Sequence, residues 1–465
     1  MNLPNINELK NILNAQVCGQ SIDDLSNIPF AHVSTDTRTL KSGDIFLALR
    51  GENFDGHQFI DRAIAQGAKL AIVDRQFQPP AELISIPILQ VDNTLTAYQA
   101  IAHWWRKQLQ IPIIAITGSV GKTTTKELIA SVLGIDGAVL KTQANYNNEI
   151  GVPKTILEIN QDHQYAVIEM GMRGREEIAL LTQIAQPNIG VITNVGTAHI
   201  ERLGSEQAIA EAKCELLREM PKDSIAILNY DNQRLRETAP QFWSGKTITY
   251  GLTGGDLPGN IINEQTMQVA GLNLPLPLTG KHNAINYLAA LAVYQAVHPE
   301  NTNLSELFAP FTAGLTVNLP AGRAKKIVLA NNITLLDETY NAGLESMTAS
   351  LHLLAETAGK RRIAVLGTMK ELGDYSLEFH RKIGDLAKRL KLDALFIFAD
   401  PGEAQAMEAG AEGIPHIYLE DVSQAEAHTH LAKTLQEFLQ PDDVVLCKAS
   451  HSVALDKVVQ LLQDT

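Results

Sequence analysis

The chain has 465 residues, 45% hydrophobic and 19% charged, a globular balance too long for one ordinary core, so two to four domains are expected. Its 38 basic and 52 acidic residues give a net charge of −14, which argues against nonspecific nucleic-acid binding and against an anionic membrane surface. Three cysteines, Cys18, Cys214 and Cys447, lie far apart without metal-ligand spacing, the pattern of reduced thiols rather than a disulfide framework.

The start, MNLPNINELKNIL, lacks the basic end and apolar core of a signal peptide, and no apolar run approaches the ~20 residues that span a bilayer. A cytosolic protein is expected. In residues 33–75, GDIFLALR and KLAIVD read as strands, with HQFIDRAIAQGA as a helix between them. The pair Pro79-Pro80 and the helix TAYQAIAHWWRKQL follow, and a first domain boundary is expected near Leu109. From there strand and helix alternate. IIAIT, YAVIE, GVITNV and SIAILN suit a parallel sheet buried on both faces. TTTKELIASVLG, SEQAIAEAKCELLREM (opened by Ser205) and NAINYLAALAVYQAV read as helices, the last apolar on most sides. A further α/β unit begins near residue 317, with strands ITLLD, RIAVLG, ALFIF and DVVLC and helices such as FHRKIGDLAKRL and HLAKTLQEFL. The layout is three domains, all α/β: 1–108, 109–316 and 317–465.

The chemistry concentrates at ITGSVGKTTTKE, residues 116–127. A phosphate loop reads G-x-x-x-x-G-K-[ST], but Ile116 stands where its first glycine belongs. Gly118, Ser119, Val120, Gly121, Lys122 and Thr123 nevertheless follow a strand and open a helix, where backbone N–H groups can cradle phosphates. Lys122 supplies a point charge for the terminal phosphates, and Thr123 has the hydroxyl position that holds Mg²⁺. Glu169 ends the strand YAVIE and could face the same cation, since ligands gather at the carboxyl ends of parallel strands. Taken singly, Glu169, His199 in the loop after GVITNV, and Lys213 on its helix also read as a turn acid, a structural histidine and a surface lysine. No N-K-x-D guanine signature and no G-x-G-x-x-G dinucleotide fingerprint occurs, so the loop suggests ATP chemistry.

TGSVGKTTTKE resembles the loop of the Mur ligases, ATP-dependent amide-forming enzymes of peptidoglycan precursor synthesis, whose normal form is T-G-x-x-G-K-[ST]. NYNNEIGVPKT, AVIEMGMRGREEI, VGTAHIERLGS, GKHNAINYLAA, DETYNAGLESM and LGTMKELG continue the resemblance in order, and STDTRTLKSGDIFLALRGENFDGHQFI resembles a uridine-nucleotide domain. Within the family the pattern is similar to the branch that adds D-alanyl-D-alanine, and the D-N-P-R segment of the diaminopimelate-adding branch is missing.

The resemblance implies a small uridine-nucleotide-binding domain, a central P-loop ATPase-like parallel-sheet domain and a C-terminal Rossmann-like domain. It implies ATP, a UDP-N-acetylmuramoyl-tripeptide and D-alanyl-D-alanine as substrates and an acyl phosphate intermediate. A monomer acting without nucleic acid or membrane is expected. Lys122, His199 and Lys213 would be catalytic. Gly118, Ser119, Val120, Gly121, Lys122, Thr123, Thr124, Asn283, Arg323 and one of Asp337 or Glu338 would meet ATP. Thr123 and Glu169 would hold one Mg²⁺, and His199 with a carbamylated Lys213 a second. Ser34, Thr35, Asp55, Gly56, His57, Asn147 and Asn148 would bind the peptide substrate. Domain closure over a hinge at 314–320 is expected. Gly343 and Leu344 replace a usual Asn-Pro, and His451 replaces an arginine in a K-G-S-R pattern. Two alternatives stay open: another Mur-type or folylpolyglutamate-type ligase, and a noncatalytic ATP-binding closure module.

Overall fold

The computed structural model describes residues 3–19, 30–51, 54–80 and 86–464. Among these residues the strands form three sheets of five, nine and six. The first sheet runs Gln16–Gly19, Pro87–Val91, Leu70–Asp74, Ile45–Leu47, Val33–Ser34, parallel except where Gln16–Gly19 meets Pro87–Val91. Within GDIFLALR only Ile45–Leu47 is regular strand, because the chain then bends back so that Gly56 N–H donates to Leu49 O at 2.8 Å. A Cβ at Gly56 would lie 2.8 Å from that carbonyl oxygen, so the close approach requires glycine. The expected helix HQFIDRAIAQGA divides into a 3₁₀ turn, Gly56–Phe59, and a short α-helix, Ile60–Ala65.

The helix Thr94–Gln108 leaves this unit. Asn93 caps it by accepting from Thr96 N–H at 2.9 Å. Its far end is fastened to the next unit: Trp105 Nε1 donates to Ile159 O, and buried Arg106 donates to Ala185 O, Gln186 O and Asn188.

The second sheet carries the loop of interest. Ile113–Thr117 lies between Ile189–Ile192 and Tyr165–Glu169, parallel to both, with every one of its residues buried. Such burial on both faces is why these strands read as unbroken apolar runs. GVITNV is a strand only to Ile192, since Thr193 and Asn194 turn their side chains to the neighbouring loop. Three antiparallel-linked strands, Leu257–Asn263, Thr266–Val269 and Leu272–Pro275, extend the sheet beyond the expected set. The helix Lys281–Val297, apolar all round, packs on the helix Lys122–Leu133.

The third sheet runs Lys325–Val328, Thr334–Asp337, Val444–Lys448, Arg362–Gly367, Ala394–Ala399, His416–Asp421; only the first pair is antiparallel. Its four inner strands are the expected ones. The outer two are largely exposed and carry no apolar run to announce them. Among the described residues no helix is long and apolar enough to cross a membrane, and Cys18, Cys214 and Cys447 are free thiols.

Candidate active site

The strand Ile113–Thr117 ends at the carboxyl edge of the central sheet, and the next residues must turn into the helix Lys122–Leu133. Ile116 is buried and paired inside the sheet, so the early position of the standard loop is here still strand. Gly118 has φ +152°, and a Cβ on it would lie 1.9 Å from Thr193 Oγ1. Gly121, at the helix N-cap, has φ +81°. Both positions therefore need glycine. Asn194 shapes the turn, its carbonyl accepting from Ser119 N–H and its Oδ1 from Val120 N–H. The first-turn N–H groups beyond it have no intrahelical acceptor, which makes the helix start an anion site.

Lys122 folds back so that Nζ donates to Gly118 O at 2.7 Å. Its pKa is lowered by burial, against the attraction of Glu169. One residue on, Thr123 Oγ1 donates to Glu169 Oε2 at 2.9 Å, and Asn147 Nδ2 donates to Oε1 at 2.8 Å. Buried Lys126 stands 3.7 Å from Glu169 Oε2 and donates to Thr142 O at 2.8 Å. It is also in contact with Glu127, which Lys141 approaches from the other side.

The loop after Ile189–Ile192 joins this assembly through Gly196 N–H, which donates to Ser119 Oγ at 2.9 Å. His199 follows on the cleft wall. Lys213, on the helix Glu206–Glu219, is 1% exposed and among the described residues its amine has no hydrogen-bond or ion-pair partner. Burial, then the nearby charge of Lys122, holds its pKa well below the ordinary lysine range.

The opposite wall comes from Lys281–Val297 and the C-terminal unit. Asn283 is buried and donates to Thr279 O at 2.8 Å. The Arg323 guanidinium lies 3.9 Å over the Tyr340 ring, and His451 leans on the same ring at 5.6 Å between centroids. Lys448 donates to Asn341 O at 2.9 Å, bracing the DETYN turn. Glu338 lines the cleft, its pKa raised by burial and pulled back by Lys448. Asp337 instead accepts from the Thr339 N–H and hydroxyl and lies off that wall.

These residues enclose a cleft of about 690 Å³ between the second and third sheets. Ser119, Val120, Gly121, Lys122, Thr123, Thr124, Glu169, His199, Asn147, Asn148, Asn283, Arg323 and Glu338 line it. Asn148 uses its Oδ1 to accept from Gly151 N–H at 2.9 Å. Ser34, Thr35, Asp55, Gly56 and His57 lie outside this cleft. Ser34 makes a tight turn with Asp36, and Thr35 is half-buried within it. His57 is locked at both nitrogens: Nδ1 is 2.6 Å from Asp55 Oδ1, and Nε2 accepts from Asp74 N–H, which fixes the proton on Nδ1.

Thr123 and Glu169 fit a hard divalent cation, being two buried oxygen donors already in contact at the mouth of the phosphate loop. Among the described residues no three His, Cys, Asp or Glu side chains converge. Lys126, Glu345 and Glu371 are absent from the sequence reading of the site. Lys126 was visible only as a helix position, and the two acids reach the site from the C-terminal unit.

Three family descriptions match the chain in order: Mur ligase family, catalytic domain at 29–106; Mur ligase middle domain at 116–294; and Mur ligase, glutamate ligase domain at 322–451. The UDP-N-acetylmuramoyl-tripeptide–D-alanyl-D-alanine ligase of Synechocystis sp. is 54% identical, covering 96% of this chain and 95% of its own. That of Bacillus subtilis is 34% identical over 92% of each. Among solved structures, MurF from Acinetobacter baumannii has a TM-score of 0.85 at 30% identity, covering both chains fully. MurF from Thermotoga maritima in complex with ADP has a TM-score of 0.80 at 29% identity, covering 93% of this chain and 97% of its own.

Proposed function

The chain belongs to the Mur ligase family, and on that premise we propose that it joins D-alanyl-D-alanine to a UDP-N-acetylmuramoyl-tripeptide at the expense of ATP, a step of peptidoglycan precursor synthesis. The observation that carries this reading is the cleft in which a phosphate loop, Glu169, His199 and the C-terminal Arg323 and Lys448 face one another. A carboxylate is a poor electrophile, and two anions must touch for ATP to activate it. The helix start and Lys122 offset charge on the transferring phosphate, and Arg323 approaches from the far wall. The tripeptide carboxylate oxygen attacks the γ-phosphorus of ATP, and ADP leaves. The D-alanyl-D-alanine amine then adds to the acyl carbon, and phosphate leaves from the tetrahedral adduct.

Magnesium, where bound, would be held by Thr123 and Glu169 and would offset charge on the transferring phosphate. A second ion would meet His199 and Lys213, the lysine carrying a carbamate. Burial favours the neutral amine that carbamate formation needs. Asn283 would meet the adenine and Glu338 the ribose. The first sheet would carry the uridine nucleotide near Ser34 and Thr35. Asn147 would bridge substrate to Glu169. Domain boundaries near 109 and 317 follow the breaks between the three sheets, and 314–320, free of regular structure, serves as the hinge. One chain supplies every residue named, so a monomer suffices.

The test is phosphate release across an array of UDP-muramoyl peptides with amino-acid and dipeptide acceptors. Release only with the tripeptide and D-alanyl-D-alanine is expected. Release with a single amino acid on the dipeptide precursor would assign a different Mur-type ligase, and ATP binding without any release would assign a noncatalytic module.

A further inference from the structure

The segment LGTMKELG contains an acid, Glu371, that the reading above leaves without a role. It lies between the strand Arg362–Gly367 and the turn Gly373–Tyr375 of the C-terminal unit. Across the cleft its Oε2 is 2.7 Å from His199 Nδ1. Both partners hold left-handed backbone, φ +67° at His199 and +63° at Glu371. Residues other than glycine keep that conformation where surrounding structure imposes it, and such positions gather at functional clefts. Nδ1 is buried, and Glu371 Oε2 is the carboxylate oxygen beside it. Arg202 and Arg173 act on the same carboxylate.

The loop bearing His199 is gripped at two further points. Gly196 N–H bonds Ser119 of the phosphate loop. The Thr197 N–H and hydroxyl donate to Glu345 at 2.6 and 3.2 Å, and Glu345 sits in the first turn of the helix Leu344–Glu356. Residues 196–199 thus tie the phosphate loop to two acids of the C-terminal unit.

An imidazole that binds a metal ordinarily gives its other ring N–H to a carboxylate or carbonyl, which fixes its tautomer and aims its lone pair. With Nδ1 facing Glu371, the lone pair left free is that of Nε2. We propose that Glu371 is a positioning residue: delivered by the C-terminal domain, it holds the Nδ1 proton of His199 and leaves Nε2 to face the divalent cation. This rests on reading His199 as a cation-facing residue. Docking of the C-terminal domain and completion of the cation site are then one event, and Glu345 secures the loop while it happens.

The test compares the parent with Glu371→Ala, Glu371→Gln and His199→Ala, each with ADP present. Nitrogen NMR of labelled histidines reads the His199 tautomer with Mg²⁺, and Mn²⁺ titration followed by EPR reads cation affinity. In the parent, His199 carries its proton on Nδ1. Glu371→Ala loses that preference and weakens Mn²⁺ binding about ten- to a hundredfold. Glu371→Gln, whose amide oxygen still accepts from Nδ1, keeps most of both. Weakened Mn²⁺ binding in His199→Ala alongside parental tautomer and affinity in Glu371→Ala overturns the proposal alone. Parental Mn²⁺ binding in His199→Ala overturns the reading beneath it as well.

Discussion

Replacing Lys126 with methionine keeps the length of the side chain and removes its charge. The ammonium is 1% exposed and meets three oxygens: Thr142 O at 2.8 Å, Glu127 Oε1 at 3.3 Å and Glu169 Oε2 at 3.7 Å. At an effective dielectric of about 20, each carboxylate attraction is worth roughly 4–5 kcal/mol before the opposing desolvation of the ammonium. On its loss Glu127 keeps Lys141, and Glu169 keeps Thr123 and Asn147. Thr142 O loses its charged donor, a cost of about 1–3 kcal/mol. The substitution should therefore cost about 3–4 kcal/mol, the lower part of the range for breaking a buried pair. Urea denaturation followed by tryptophan fluorescence measures it. Because part of the cost is the uncompensated Glu169 charge, Glu169→Gln should recover some of the loss in the Lys126→Met background. A Lys126→Met protein as stable as the parent, with no coupling to Glu169→Gln, would refute the argument.

Gly118→Ala puts a methyl 1.9 Å from Thr193 Oγ1 and should abolish ATP binding by calorimetry; adding Thr193→Ala removes that oxygen and restores part of it. Arg323→Lys loses the flat stacking on Tyr340 and should weaken ATP binding about fivefold, the ~1 kcal/mol of such a contact. Burial, then the Lys448 charge, depresses the His282 pKa from 6.5 to about 4. Its neutral form is favoured in the folded state, so its stabilising contribution is full above pH 6.5. That contribution falls as the unfolded chain takes up a proton between pH 6.5 and 4, with a ceiling of about 3 kcal/mol. His282→Gln should flatten that part of the stability–pH curve, read from urea midpoints; an unchanged slope would contradict the assignment.

The phosphate loop was legible because its requirements are local. Gly118 and Gly121 are set by backbone geometry, and the strand before them and the helix after them are written as apolar runs. The buried inner strands were legible for the same reason. Lys325–Val328 and His416–Asp421 were not, because solvent covers most of each and leaves no run to read. GVITNV misled at its end, where Thr193 and Asn194 look strand-like but serve the neighbouring loop. The link from Thr197 to Glu345 joins residues far apart in sequence, and nothing in the composition of either segment announces it. The contacts of the His57 ring with Asp55 and the Asp74 N–H depend on the folded sheet and were not legible in the sequence.

The central claim is that the tripeptide carboxylate itself is phosphorylated in this cleft. The direct measurement labels that carboxylate with ¹⁸O, runs one turnover with ATP and D-alanyl-D-alanine, and takes the mass of the released phosphate. One ¹⁸O atom in the phosphate is the predicted result; phosphate free of label would contradict the account.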